Sequence, residues 1–349
     1  MIFKKTFSLV ASIIKLFIFT LLISNSIADE NNKKFSNDKG ILSIMYHRFE
    51  ENKYPSTNIK MNIFKKHMSL IEKKGYNFFH PNNFEEKFFV AKSEKQILLT
   101  IDDAFSSFYN NAWPFLKKNK IPFILFVSTE HIGKHGYMTW SQIKEIENEE
   151  FGFLGNHSHS HDYLINFTFE EFKTDIDKSI KIFTDNIGYN PRFFSYPFGE
   201  YSLKQKKYIK NKFDIAFGQH SGVIDINKDF YELPRFPINE KYGDLERFEF
   251  LLNLYPLEYK SLSIKDMLIL EKNNPPKFHI NFFKEQNNLK NINCFSNEGG
   301  DWKKSKIKLE EEKLFIILKE KFKPRRGRIN CSLKENDRWK WLGLQFVIK

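Results

Sequence analysis

The chain reads as an α/β protein, a (β/α) barrel followed by a small antiparallel β domain. Three observations carry that expectation. From Gly40 to about Arg235, short apolar runs alternate with longer amphipathic ones, as in βα units around a largely parallel sheet. The chemistry-bearing polar residues of this stretch fall at the C-terminal ends of the apolar runs, the rim on which βα barrels build their sites. After Pro275-Pro276 the pattern changes to short alternating segments separated by Asn, Gly and Lys clusters. The expected division is a leader over 1–28, a barrel over 29–274 and a β-rich domain over 275–349.

Taken in order, Met1-Ile2-Phe3-Lys4-Lys5 precedes an apolar run at 16–23, and Ser26 and Ala28 stand where a signal peptidase needs small residues. The apolar core is short for a membrane span, so a cleaved signal peptide is expected. An uncleaved anchor, with Lys15 snorkelling to the interface, is the alternative. Either way the bulk of the chain is exported, to a periplasmic or extracellular location. Strands are expected at 41–46, 97–101, 122–128, 151–155, 193–196 and 214–217. Between them, Thr139-Trp140-Ser141-Gln142 and Thr168-Phe169-Glu170-Glu171 fit the capping box, in which the first side chain accepts from the third helical amide and the last reaches back. The second opens a helix with Phe172, Ile176, Ile180 and Phe183 on one face, stopped by Gly188. Beyond the proline pair, strands are expected at 278–282, 306–309, 314–318, 327–331 and 341–348.

With 55 Lys and Arg against 43 Asp and Glu, the chain has a formal charge of +12. Loss of residues 1–28 would remove Lys4, Lys5 and Lys15 and no acid, leaving it basic. The abundance of Lys, Asn, Ile and Phe fits an AT-rich coding sequence, and no nucleic acid is expected as partner; attraction to an anionic polymer or envelope surface remains open. The two cysteines, Cys294 and Cys331, either close a disulfide in an oxidising compartment or are two buried thiols.

The apolar run Ile97–Ile101 ends in Asp102-Asp103, two adjacent carboxylates whose mutual repulsion calls for a cation or a guanidinium. The segment Gly155-Asn156-His157-Ser158-His159-Ser160-His161 supplies imidazoles four residues apart. A catalytic zinc commonly takes three protein ligands and leaves a position for water. Asp103, His157 and His161 would supply that set, with Asp102 near enough to act as general base. His159 would point elsewhere.

These residues carry a resemblance. Thr100-Ile101-Asp102-Asp103-Ala104, His157-Ser158-His159-Ser160-His161 and Ser195-Tyr196-Pro197-Phe198-Gly199 resemble the first three motifs of the polysaccharide deacetylases, the NodB-homology domain of carbohydrate esterase family four. The resemblance covers roughly 41–235 and implies a deformed (β/α) barrel that removes acetyl groups from N-acetylated sugars of a polysaccharide or glycoconjugate. It implies a divalent metal, with zinc expected ahead of cobalt, nickel or manganese. Asp102 would be the base, Asp103, His157 and His161 the ligands, and Ser158 the hydroxyl that steadies their loop. Tyr196 and Pro197 would line the groove, and the Phe198 amide would donate to the oxyanion.

Departures from the pattern are Ala104 in place of glycine, Ser195 in place of an arginine that orients the base, and no clear late motif carrying the histidine acid. Arg235 is the candidate to supply the missing guanidinium, against a plain surface arginine. His220 is the candidate general acid, and His47 either contacts substrate or makes a structural hydrogen bond. Trp302, Trp339 and Trp341 are either a sugar-stacking platform or core, and Arg325, Arg326 and Arg328 either meet an anionic polymer or form a solvated loop. Two other functions fit the same residues: a carbohydrate-binding protein without activity, and a non-haem iron oxygenase, whose two-histidine, one-carboxylate triad generally stands on a β-sandwich.

Overall fold

The computed structural model describes residues 33–84 and 95–349, so the expected leader lies outside the described residues. The first layer is an eight-stranded sheet. Its strands are β1 (Ile41–Tyr46), β2 (Gln96–Asp102), β3 (Phe123–Val127), β4 (Gly152–Asn156), β5 (Phe193–Ser195), β6 (Ile215–Phe217) and β7 (Phe236–Pro237), in the order β7-β1-β2-β3-β4-β5-β6. Every ladder is parallel, and a short strand Asn77–Phe78 pairs beside β2. The ring closes through a strap rather than a full strand. Leu233 exchanges main-chain hydrogen bonds of 2.9 Å with Ala216 and Gly218 at the β6 end, and the same segment continues into β7 on β1. This is the barrel the alternation predicts, deformed at its seam, with the strands close to their expected bounds.

Helices α1 (Met61–Lys73), α2 (Trp113–Asn119), α3 (Trp140–Glu147), α4 (Phe169–Ile187) and α5 (Leu203–Lys210) cover the sheet. The Thr139 and Thr168 capping boxes form as the sequence indicates, and Gly188 ends α4 in the left-handed conformation, where a Cβ would be strained. Helix α4 buries Phe172, Ile176 and Phe183, but also Asp175 and Ser179 on the same face. Those two polar residues turn out to support the site.

The C-terminal sheets begin at β8 (Leu254–Pro256) and β9 (Tyr259–Leu262), ahead of the Pro275-Pro276 pair that the sequence suggests as boundary. They continue with β10 (His279–Phe282), β11 (Asn293–Ser296), β12 (Lys306–Glu310), β13 (Lys313–Ile317), β14 (Arg325–Glu335) and β15 (Arg338–Ile348). One sheet runs β8-β15-β14-β11 and the other β9-β10-β13-β12. Both β8 and β9 are short and lack a clean alternation, which hides them from a pattern of period two. Cys294 and Cys331 are disulfide-bonded across β11 and β14, where they are directly opposite partners with Cα atoms 4.0 Å apart.

The β module does not hang from a linker. One continuous apolar cluster joins Phe172, Ile176, Phe194 and Phe213 of the barrel to Ile280, Leu314, Leu344 and Phe346 of the sheets. Gly343 lets the β15 backbone approach so closely that a Cβ there would lie 2.2 Å from the Ser221 carbonyl oxygen. Trp341 donates its Nε1–H to Ser221 Oγ at 2.9 Å and, with Trp339, packs half-buried on the barrel core. They serve as docking residues rather than a sugar platform; Trp302 is half exposed. Among the described residues, no helix is long and apolar enough to cross a membrane.

Candidate metal centre

The site stands on the C-terminal rim of the barrel. Asp102 is the last residue of β2, and the chain then turns through Asp103 at φ 76° and Ala104 at φ 55°, both left-handed. That pair of strained residues, about 1 kcal/mol or more each, aims the two adjacent carboxylates differently. From the end of β4 the chain folds into a second strained loop, with Ser158 at φ 69° and His161 at φ 56°. Side chains from α4 and β4 hold it. Asp175 accepts from the backbone N–H groups of His159 and Ser160, each at 2.9 Å; Asn156 Oδ1 accepts from Ser158 N at 2.9 Å and is braced by Ser179. Ser158 Oγ accepts from His161 N at 3.1 Å, the steadying contact expected of it.

The loop brings Asp103, His157 and His161 together with ligand atoms all within 4.8 Å of one another. Nε2 of His157 and Nε2 of His161 lie 3.5 Å and 3.1 Å from Asp103 Oδ1. Nδ1–H of His157 donates to the Ser195 carbonyl at 2.7 Å, which directs the Nε2 lone pair inward. Both His157 Nε2 and Asp103 Oδ1 are buried without a hydrogen-bond partner, a costly arrangement that a divalent cation would relieve. The donor set of two imidazoles and a carboxylate therefore fits a metal. His159 points away, its Nδ1 against Thr129 Oγ1 at 2.9 Å.

Asp102 is fully buried and grips a fully buried Arg235: Nη1 donates to Oδ1 at 2.6 Å and Nη2 to Oδ2 at 2.9 Å. The same guanidinium donates to Ser195 Oγ at 2.7 Å, Thr100 Oγ1 at 3.2 Å and the Gly218 carbonyl at 3.0 Å. Ser195 leaves room for this reach from the seam, so Arg235 sets a guanidinium against Asp102 where the third motif lacks one. Burial would raise the Asp102 carboxyl, but the charge of Arg235, with His157 and His47, holds it below the usual carboxylate range. Burial pulls His157 down to about 4. His161 is also pulled down by burial, but Asp103 outweighs this and raises it.

Several expected residues sit elsewhere. Tyr196 is 1% exposed, packed on Phe194 and Tyr201, and Pro197 is buried, so neither presents a side chain to a groove. Phe198 is half-buried at φ 59°, with its ring 4.9 Å from that of His161. His220 borders a crevice with Lys228, Asp229, Glu232 and Tyr259, between barrel and β module. Burial and then Lys228, Lys206 and Arg235 lower it to about 3, and neither Asp102 nor Asp103 is among the leading influences on it. His47, at the end of β1, acts on both. Arg325 and Arg326 pair with the buried Glu200 instead of standing free in a solvated loop. Asp175 and Gln345 carry no motif signal, and nothing in the sequence links Gln345 to a turn 146 residues away; Asn156 and Glu200 stand within or beside the motifs, but their partners on α4 and β14 are not legible there.

Residues 90–215 match the family model described as polysaccharide deacetylase. Poly-beta-1,6-N-acetyl-D-glucosamine N-deacetylase of Staphylococcus aureus is 26% identical over 161 residues, 42% of this chain and 56% of that one. The chain thus matches just over half the length of that relative. The Bacillus subtilis protein YxkH is 25% identical over 199 residues, 56% of this chain and 70% of its own. Among solved structures, IcaB from Ammonifex degensii aligns with a TM-score of 0.54 at 22% identity, covering 62% of this chain and 98% of that chain. At these identities the structural likeness establishes the fold, which is that of the barrel; the parallel ring also differs from the sandwich on which an iron oxygenase triad generally stands.

Proposed function

We propose, from the premise that this chain carries a polysaccharide deacetylase domain, that it is a metal-dependent hydrolase removing N-acetyl groups from an N-acetylhexosamine polysaccharide or glycoconjugate. The observation that carries the reading is the buried pair of orphaned ligand atoms, His157 Nε2 and Asp103 Oδ1, facing each other beside a guanidinium-held Asp102. Asp103, His157 and His161 would hold the ion, and zinc suits two imidazoles and a carboxylate. When bound, such a cation polarises the acetyl carbonyl and makes water acidic.

The chain's own groups do the rest. Asp102, kept ionised by Arg235, takes the proton of the attacking water. The Phe198 amide donates to the developing oxyanion, a contribution of about 3 kcal/mol for a preorganised donor. The protonation of the departing amine, which the sequence suggested for His220, falls in this reading to His47, whose charge bears on both aspartates. The basic leader at 1–28 supports export to the compartment where such glycans lie.

Elemental analysis and acetate release from poly-N-acetylglucosamine, chitin oligomers and peptidoglycan test the reading. Asp103→Ala is expected to lose metal and turnover together, and Asp102→Asn to keep metal while kcat falls by about 10²–10⁴. His47→Ala should fall comparably and His220→Ala should not. Undiminished acetate release by Asp102→Asn refutes the mechanism.

A further inference from the structure

The third-motif turn is anchored by residues far outside 90–215. Gln345 on β15, 5% exposed, donates from Nε2 to the carbonyls of both Phe198 and Gly199, each at 3.1 Å. Its Oε1 accepts from Arg328 Nε at 3.2 Å, so the amide can face only one way. The next residue along, Glu200, is 4% exposed and receives Arg325 Nη2 at 2.9 Å and Arg326 Nε at 2.7 Å. The Arg325 guanidinium also stacks 3.4 Å over the Tyr163 ring, which packs 4.3 Å from Phe198, which in turn packs 4.9 Å from His161. A line of contacts therefore runs from β14 to a ligand of the metal centre.

The turn needs such anchoring. Phe198 is a bulky residue at φ 59°, a conformation costing about 1–2 kcal/mol that persists only where its surroundings over-determine it. Pinning two successive carbonyls fixes the two peptide planes that follow Phe198, and the plane carrying the Phe198 N–H is tied to them because its Pro197 carbonyl accepts from Glu200 N at 3.2 Å. Gly199 is held from the other side, since a Cβ there would lie 2.5 Å from Gln219 N.

We infer that the C-terminal β module is part of the catalytic unit: Gln345, with the Arg325–Glu200–Arg326 cluster, is a positioning group for the Pro197–Gly199 turn. The inference rests on the deacetylase reading for its kinetic consequence, and not for its structural one. Gln345→Leu keeps the buried volume and removes the donor; Arg325→Ala combined with Arg326→Ala removes the second anchor at a more exposed place.

Two readouts are taken on metal-loaded full chain. In hydrogen exchange, the peptide spanning 196–201 should exchange about tenfold faster in either variant, the worth of one or two hydrogen bonds, while 156–162 is unchanged. In acetate release, kcat should fall about a hundredfold, as for a reacting group misplaced by an ångström, with KM and metal content held. Wild-type exchange at 196–201 in both variants overturns the inference, as does full kcat alongside accelerated exchange. A wild-type chain that releases no acetate from any glycan overturns the deacetylase reading alone, and the exchange measurement still decides whether the module positions the turn.

Discussion

Replacing Arg235 with methionine removes five hydrogen bonds from a guanidinium with no solvent exposure, and leaves the Asp102 carboxylate buried without its countercharge. Breaking a buried pair from one side costs about 3–5 kcal/mol, because the surviving charge stays desolvated. The pH dependence should also change sign. In the native chain the Asp102 carboxyl lies below its ordinary value, so the stability it contributes is present above the unfolded carboxylate pKa of about 4 and is lost only as pH falls through the lower folded value. In Arg235→Met burial, already the largest single influence, loses its main opponent and raises the carboxyl; its contribution is then present in acid and lost as pH rises above about 4. Urea unfolding of metal-free protein at several pH values between 5 and 8 reads both effects. Metal content should be retained, since none of the three ligands touches Arg235, while the acid limb of acetate release moves toward neutrality. Arg235→Lys, which keeps charge but not the fork, should fall between the two. A loss below about 1 kcal/mol, with an unmoved acid limb, refutes the account of Asp102 as a carboxylate held ionised by this pair.

Asp175→Ala removes both acceptors of the His159 and Ser160 amides, and should destabilise the chain by about 2 kcal/mol or more while weakening metal binding, measured by calorimetric titration. Because Asp103 raises the His161 imidazole, metal must displace a proton there, and affinity should weaken as pH falls below the raised value; proton release measured in two buffers of different ionisation enthalpy checks this. Replacing Cys294 and Cys331 together with alanine should cost about 2–4 kcal/mol, measured by urea unfolding.

The six main barrel strands, the two capping boxes and the trio of candidate ligands were legible because each is a local pattern. An apolar run ending in Asp102-Asp103 and imidazoles four apart are visible within a few residues of chain. Other features depend on pairs distant in sequence. Arg235 meets Asp102 across 133 positions, and its bond to Ser195 shows where a guanidinium comes from when the third motif has serine in place of arginine. His220 and His47 both follow strands on the predicted rim, yet His220 is packed into a crevice against the β module while the charge of His47 bears on both aspartates, a difference that strand position alone does not reveal. Tyr196 belongs to a motif but points into the core, because alternate residues at a strand end face opposite ways.

By itself the sequence singled out the three side chains that could hold an ion and the carboxylate that stands beside them, because those residues are adjacent or share one short loop whose chemistry is local. Only the tertiary structure decided what keeps that chemistry in place: a seam strand returning Arg235 to the barrel axis, an aspartate on α4 clamping the histidine loop, and a glutamine near the C-terminus gripping the third-motif turn. Each is a single polar residue within an otherwise ordinary helix, strand or strap. Its partner is chosen by how the layers pack, which no periodicity in the chain encodes.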